Sequence, residues 1–227
     1  MADACVLVLA GLDPSGGAGI LADAEAVRAA GARPLCLATA LTVQTSRRAR
    51  SFEPVRAALV EEQAAALLDD EPVRALKLGM LGTPQMAAAA LRIAERAGVP
   101  LVVDPVLRAS SGAPLFLGDA RAAYARLFAL ATLVTPNLDE ARELDPLALG
   151  ARAVLIKGGH LEGDAVDVLH EGERTLDLRA PRIAGDRRGK GCRLASAIAA
   201  RLALGDALET AVRRGKEQVR NYLATKA

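Results

Sequence analysis

Aromatic side chains are scarce in this 227-residue chain, which has no Trp, two Tyr and three Phe. A platform for single-stranded nucleic acid needs several stacking faces along a cationic groove, and so few rings cannot build one. Neither sign of charge is in excess: 29 Lys and Arg stand against 27 Asp and Glu, for a net charge of +2. Short basic clusters occur at Arg47-Arg48 and Arg187-Arg188, but no segment carries the basic stripe that follows a phosphate backbone. Cysteine is limited to Cys5, Cys36 and Cys192, odd in number and far apart, which excludes a disulfide framework and a CxxC metal site. No apolar run approaches the ~20 residues of a membrane span. The first residues lack the basic segment and apolar run of a secretory signal. The expectation is a soluble cytoplasmic protein with no nucleic-acid or membrane partner.

Apolar material is abundant. Hydrophobic residues make up 52% of the chain, much of it alanine, which lets helices approach closely but contributes little area per residue. The length suits one sizeable α/β domain over 1–227. Short apolar runs alternate with amphipathic, alanine-rich segments. Strands are expected at 5–10, 34–38, 75–80, 99–103, 132–135 and 154–157, and helices at 18–30, 55–68, 84–97 and 119–130. Thr83 and Pro84 read as the cap and first residue of the third of these helices. Segments 165–170 and 174–178 flank Glu171-Gly172-Glu173 and predict an antiparallel hairpin at a sheet edge. Two helices, at 191–204 and 207–223, follow it. Continuous apolar strands separated by helices predict a mainly parallel sheet covered on both faces. In such sheets ligands bind in the loops beyond the carboxyl ends of the strands.

Two nucleotide motifs nearly appear and fail on physical grounds. Gly17-Ala18-Gly19-Ile20-Leu21-Ala22 satisfies a loose dinucleotide fingerprint, but no carboxylate to hold a ribose stands in Leu37-Ala38-Thr39-Ala40-Leu41-Thr42. Gly185-Asp186-Arg187-Arg188-Gly189-Lys190 has one residue too few between its glycines for a phosphate-cradling P-loop, and no Ser or Thr follows the lysine.

A more specific signal is a series of separated motifs in one order. Asp13-Pro14-Ser15-Gly16-Gly17-Ala18-Gly19 is followed by Thr39-Ala40-Leu41-Thr42-Val43-Gln44, Lys77-Leu78-Gly79-Met80-Leu81 and Val103-Asp104-Pro105-Val106. Then come Ser111-Gly112, Thr135-Pro136-Asn137-Leu138-Asp139-Glu140 and Ile156-Lys157-Gly158-Gly159-His160. Asp167-Val168-Leu169, Pro181-Arg182-Ile183 and Gly189-Lys190-Gly191-Cys192 complete the set. In this order the chain resembles the hydroxymethylpyrimidine and phosphomethylpyrimidine kinases of thiamine synthesis over roughly residues 5 to 204. The resemblance implies a ribokinase-like α/β fold, ATP and Mg²⁺ as cofactors, a small pyrimidine substrate and a homodimer.

The resemblance also implies roles for individual residues. Gln44, with one acceptor and two donors on its amide, looks like the pyrimidine-binding glutamine, and Gly11, Asp13, Ala18 and Met80 would line the same pocket. Met80 equally suits core filler. Asn137 and Glu140 have the spacing of a pair on one face of a helix start and would hold Mg²⁺ through water; the same spacing makes an ordinary capping box. Asp104 would orient the metal or the phosphates, and Lys157 would approach the ATP phosphates, although a strand-end lysine can simply be solvated. Gly189, Lys190 and Gly191 would form the anion-binding turn, with Cys192 as the base for the acceptor hydroxyl. A helix start favours anions and is expected to lower the thiol pKa; a buried, inert cysteine is the alternative. His160 and His170 have no convincing claim as bases.

The departures gather on the nucleotide side. Where the family reads Thr-His-Gly-Thr-Gly-Cys-Thr, this chain has Arg187-Arg188-Gly189-Lys190-Gly191-Cys192-Arg193. Ser110 stands where lysine is common, and Thr45-Ser46 replaces Asn-Thr. Only the segment 141–153 separates Glu140 from the next strand, and a tail containing Gly-Pro and His does not appear before Ala227. The leading expectation is an ATP- and Mg²⁺-dependent kinase acting on 4-amino-5-hydroxymethyl-2-methylpyrimidine, its monophosphate or both. A non-catalytic pyrimidine-binding protein and a pyridoxal kinase of the same fold are the alternatives.

Overall fold

The computed structural model of the chain describes residues 4–158, 165–181, 183 and 187–224. Gly159, His160, Arg182, Gly185 and Asp186 from the motifs above lie outside the described residues. Among the described residues nine strands form one sheet: β1 (Cys5–Leu12), β2 (Arg33–Gln44), β3 (Ala49–Pro54), β4 (Val73–Leu78), β5 (Leu101–Val103), β6 (Leu133–Val134), β7 (Ala153–Ile156), β8 (Ala165–Glu171) and β9 (Arg174–Ala180). Their spatial order is β3-β2-β1-β4-β5-β6-β7-β8-β9. The five pairings from β2 through β1, β4, β5 and β6 to β7 are parallel. Antiparallel β3 closes one edge, and the expected β8–β9 hairpin closes the other.

The central position of β1 follows from its composition. Cys5, Leu7 and Leu9 point into one apolar cluster, and Val6, Val8 and Ala10 point into another on the opposite face. A strand buried on both faces needs such a continuous run. The first cluster is covered by α2 (Ala57–Asp70), α3 (Pro84–Ala97), α4 (Ala120–Leu130) and α5 (Leu138–Leu144). The second is covered by α1 (Gly19–Ala29), α6 (Lys190–Ala203) and α7 (Leu208–Ala224). Each fully buried Leu or Val contributes roughly 1.5–3 kcal/mol by burial, so the packed sheet is a rigid base for the loops at its carboxyl end.

Helix α3 starts and stops where its sequence dictates. The Thr83 hydroxyl accepts a hydrogen bond from the Met86 amide at 3.2 Å, Pro84 opens the first turn, and Gly98 ends the helix in a left-handed conformation. Two features differ from expectation. β2 runs on to Gln44, six residues past the expected end, as the β-branched Thr39, Thr42 and Val43 permit. β3 was not expected, because Ala-Arg-Ser-Phe-Glu-Pro is polar; an edge strand needs only one partner and one packed side chain, here Phe52.

Candidate active site

A cavity of about 810 Å³ opens beyond the carboxyl ends of the parallel strands, where this class of sheet binds its ligands. Every site residue singled out from the sequence lines it, including Asp13, Gln44 and Met80 toward β2 and Asp104, Asn137, Lys157 and Cys192 toward β7. These residues are far apart in the chain, and the strand ends bring them together.

On the β2 side, Asp13 organises the first glycine loop. One carboxylate oxygen accepts from the Ser15 amide at 2.9 Å and its hydroxyl at 2.7 Å. The other accepts from the Ala18 amide and the Gln44 side-chain amide, both at 3.1 Å. Gln44 lines the cavity, and its carbonyl oxygen has no hydrogen-bond partner among the described residues. Met80 lies at the boundary of the core and the cavity. It packs with Ala40 and Leu115 and also lines the cavity, so close to Gly11 that a Cβ there would sit 2.7 Å from its sulfur.

On the β7 side, the turn ahead of α6 is shaped by Gly189. Its φ is +73°, and a Cβ would meet the Gly17 carbonyl oxygen at 2.2 Å, so this turn lies directly against the first glycine loop. α6 begins at Lys190, which is exposed. The helix N-terminus offers peptide N–H groups to an anion. Lys157 Nζ lies 3.2 Å from where a Cβ on Gly191 would be, so its ammonium group faces the same region. Its anchor is Asp104, whose carboxylate it reaches at 2.7 Å and which also accepts from the Thr135 hydroxyl at 3.3 Å. Burial alone would raise the Asp104 pKa, but Lys157 and Lys77 beside it outweigh that and hold it below the usual carboxylate range.

Asn137 and Glu140 form the capping box that their spacing allowed. The Glu140 amide donates to Asn137 Oδ1 and the Asn137 amide to Glu140 Oε2, both at 2.8 Å. Those atoms are committed to the helix start. The Glu140 carboxyl is nevertheless held above its usual range, first by burial and then by the field of Asp104, against the pull of Lys157. The Asp104 charge raises the proton affinity of the buried Glu140 carboxyl, a repulsion that an incoming Mg²⁺ would relieve, and Mg²⁺ retains waters that can bridge to both carboxylates. The donor set fits the ion in that outer-shell sense.

Cys192 corrects one expectation. It lies in the first turn of α6, half-buried, and its thiol is pushed up to about 11. Burial is the largest cause, and Asp23 and Asp104 add to it, while Lys77 and a hydrogen bond with the Gly19 backbone act in the opposite direction. The helix start does not compensate for the loss of water.

This geometry agrees with the comparison to known proteins. The sequence profile of the family described as phosphomethylpyrimidine kinase matches residues 13–227. The chain belongs to this family. It is 39% identical to the hydroxymethylpyrimidine/phosphomethylpyrimidine kinase of Streptomyces coelicolor, over 94% of this chain and 86% of that protein. It is 40% identical to the thiamine biosynthesis bifunctional protein ThiED of Geobacter sulfurreducens, over 94% of this chain and 48% of that one. Among solved structures it superimposes on the phosphomethylpyrimidine kinase of Clostridium difficile 630 with a TM-score of 0.83 and 32% identity, covering 96% of this chain and 99% of the other. Staphylococcus aureus pyridoxal kinase, solved with AMP-PCP and pyridoxal, gives a TM-score of 0.87 at 28% identity, with 97% and 87% covered. The chain is accordingly a ribokinase-like phosphotransferase.

Three residues of this kinase escaped sequence reasoning. Lys77 and Asp23 form an ion pair of 2.8 Å with both side chains fully buried, and Ser196 donates to Asp23 at 2.8 Å. Burial opposes the Lys77 charge, but Asp23, Cys192 and Asp104 overcome it and raise the pKa, so the ammonium persists beneath the site. A lysine inside the apolar run Ala-Leu-Lys-Leu was the available signal, since a buried cation requires a partner. Arg188 is the third. It reaches Asp13 at 3.3 Å, the Ser15 hydroxyl at 3.3 Å and the Thr45 carbonyl at 2.8 Å. Nothing in the Arg187-Arg188 dipeptide signals which loop its side chain meets.

Proposed function

We propose that this kinase transfers the γ-phosphoryl group of ATP to 4-amino-5-hydroxymethyl-2-methylpyrimidine, to its monophosphate, or to both in turn. The observation that carries the reading is the single cavity joining the Asp13–Gln44 pair to the Lys157–Gly191 corner. With its NH₂ turned to Asp13, Gln44 offers its carbonyl oxygen to an exocyclic amine, while Gly11, Ala18 and Met80 shape the walls around the ring. Lys157, Lys190 and the amides after Gly189 face the transferred group with positive charge.

Phosphoryl transfer depends mainly on positioning and charge neutralisation. The acceptor oxygen forms a bond to the γ-phosphorus as the bond to the β-phosphate oxygen breaks, and ADP leaves. The displaced hydroxyl proton goes to the thiolate form of Cys192, the minor form at neutral pH. Asp104 and Glu140 would hold Mg²⁺ through water, and the ion would supply further neutralisation of the phosphate oxygens. Family membership also motivates proposing a cytoplasmic homodimer. Leu41 and Val43 on β2 are 50% and 56% exposed, the kind of apolar surface a second copy can cover.

The direct test is incubation with the pyrimidine, ATP and Mg²⁺, with products read by mass spectrometry. A mono- or diphosphorylated pyrimidine is expected. Tight pyrimidine binding without transfer would instead indicate the non-catalytic binding protein. Pyridoxal belongs in the same assay because a pyridoxal kinase shares the fold at TM-score 0.87; faster turnover of pyridoxal would change the substrate and leave the enzyme class.

A further inference from the structure

The two arginines that bracket the anion turn converge on one ring. The guanidinium carbon of Arg187 lies 4.6 Å from the centroid of Tyr222, and that of Arg193 lies 4.0 Å from it. Tyr222 stands in the last turn of α7, which has no basic residue of its own there. Arg187 supplies one from outside, donating to the Tyr222 carbonyl oxygen at 2.5 Å, at the negative end of the helix. Arg193 is buried, paired with Glu25 of α1 at 2.7 Å, and directed at the Ala22 carbonyl. A guanidinium over an aromatic face is attracted by its quadrupole, and more strongly where it is desolvated. The helix bearing the ring is itself firmly seated. A Cβ at Gly215 of α7 would lie 2.8 Å from Ile198 of α6, and Gln218 donates to the Ala26 carbonyl at 2.8 Å.

From this convergence we infer that Tyr222 is a positioning residue for the anion turn. It holds the residues on either side of Gly189, Lys190, Gly191 and Cys192 against α7, and so sets the aim of the turn's amides and of the Cys192 thiol. Arg187, two residues before Gly189, and Arg193, directly after Cys192, share one aromatic ring. Tyr222 acts through Arg187 and Arg193. The kinetic part of this inference rests on the proposed kinase reaction, whereas the effect on the turn does not.

The test compares Tyr222→Phe and Tyr222→Leu in a Cys36→Ser background, in which Cys5 is fully buried and alkylation by iodoacetamide reports Cys192. Tyr222→Phe keeps the ring and is expected to match the parent in alkylation rate, kcat and KM. Tyr222→Leu keeps apolar bulk without the quadrupole. It is expected to alkylate at least threefold faster and to lose about tenfold in kcat, with the KM for the pyrimidine and the thermal midpoint little changed. Unchanged alkylation in Tyr222→Leu would overturn the inference whether or not the parent is an active kinase. Equal losses in the Phe and Leu variants would overturn it too, because the ring would then not be the element that matters. A parent that alkylates normally and shows no phosphoryl transfer would refute the kinase reading, leaving the alkylation comparison to decide the role of Tyr222.

Discussion

The guanidinium of Arg188 stands 3.3 Å from the carboxylate of Asp13, joining the turn ahead of α6 to the first glycine loop. The same carboxylate accepts from the Gln44 side-chain amide, so Arg188 and Gln44 meet on one group. Truncation to Arg188→Ala removes a charged partner from a nearly buried carboxylate, a change worth about 1.5–3 kcal/mol. The expected result is a ten- to hundredfold loss in kcat/KM for the pyrimidine, measured by steady-state kinetics, with a larger share in KM than in kcat. Unchanged kinetics would reduce Arg188 to a surface contact.

Gln44→Leu removes both the partner of Asp13 and the acceptor offered to the ring. A pocket built on hydrogen bonds loses far more from such a change than from a lost methylene. Calorimetric titration with the pyrimidine should show binding weakened by at least about a hundredfold, or roughly 2.7 kcal/mol, while ATP binding persists. Retention of pyrimidine affinity would move the ring-binding role away from Gln44.

Lys77 and Asp23 concern stability. Lys77→Met leaves the Asp23 carboxylate buried without its cation, and breaking a buried pair from one side costs about 3–5 kcal/mol. Urea denaturation should report a loss of that size, and adding Asp23→Leu should recover most of it. A loss below about 1 kcal/mol would mean that water or Ser196 already satisfies the carboxylate.

The raised thiol of Cys192 yields a pH signature. With a pKa of about 11, the thiol is protonated at neutral pH, and each unit of increase toward that value multiplies the thiolate fraction tenfold. If the thiolate accepts the proton, kcat/KM should climb steeply between pH 7 and 9, and Cys192→Ala should lose most of its activity and that slope together. Equal pH profiles in parent and variant would remove Cys192 from the proton path.

The legible part of the fold lies in elements whose cues are local. The β1 run, the Thr83-Pro84 start of α3 and the β8–β9 hairpin could all be read from neighbouring residues. β3 could not, because a polar edge strand becomes a strand only once β2 supplies its hydrogen bonds. Gln44, Asp104 and Lys157 could be picked out as cavity-lining residues because they sit at strand ends inside recognisable motifs. For Asn137 and Glu140 the local pattern allowed two readings, and the structure makes both capping bonds.

The sequence by itself determined the alternation of buried strands and helices, the glycine turns and the order of motifs that marks the kinase family, since each depends on residues close together in the chain. Only the tertiary structure decided the state and partners of the charged groups. Lys77 is separated from Asp23 by 54 residues, and Arg188 from Ser15 by 173. A local pattern does not specify which loop an arginine will meet, nor whether water reaches a thiol at a helix start. Those outcomes depend on packing, because the energy of a charge is set by what surrounds it after the chain has folded.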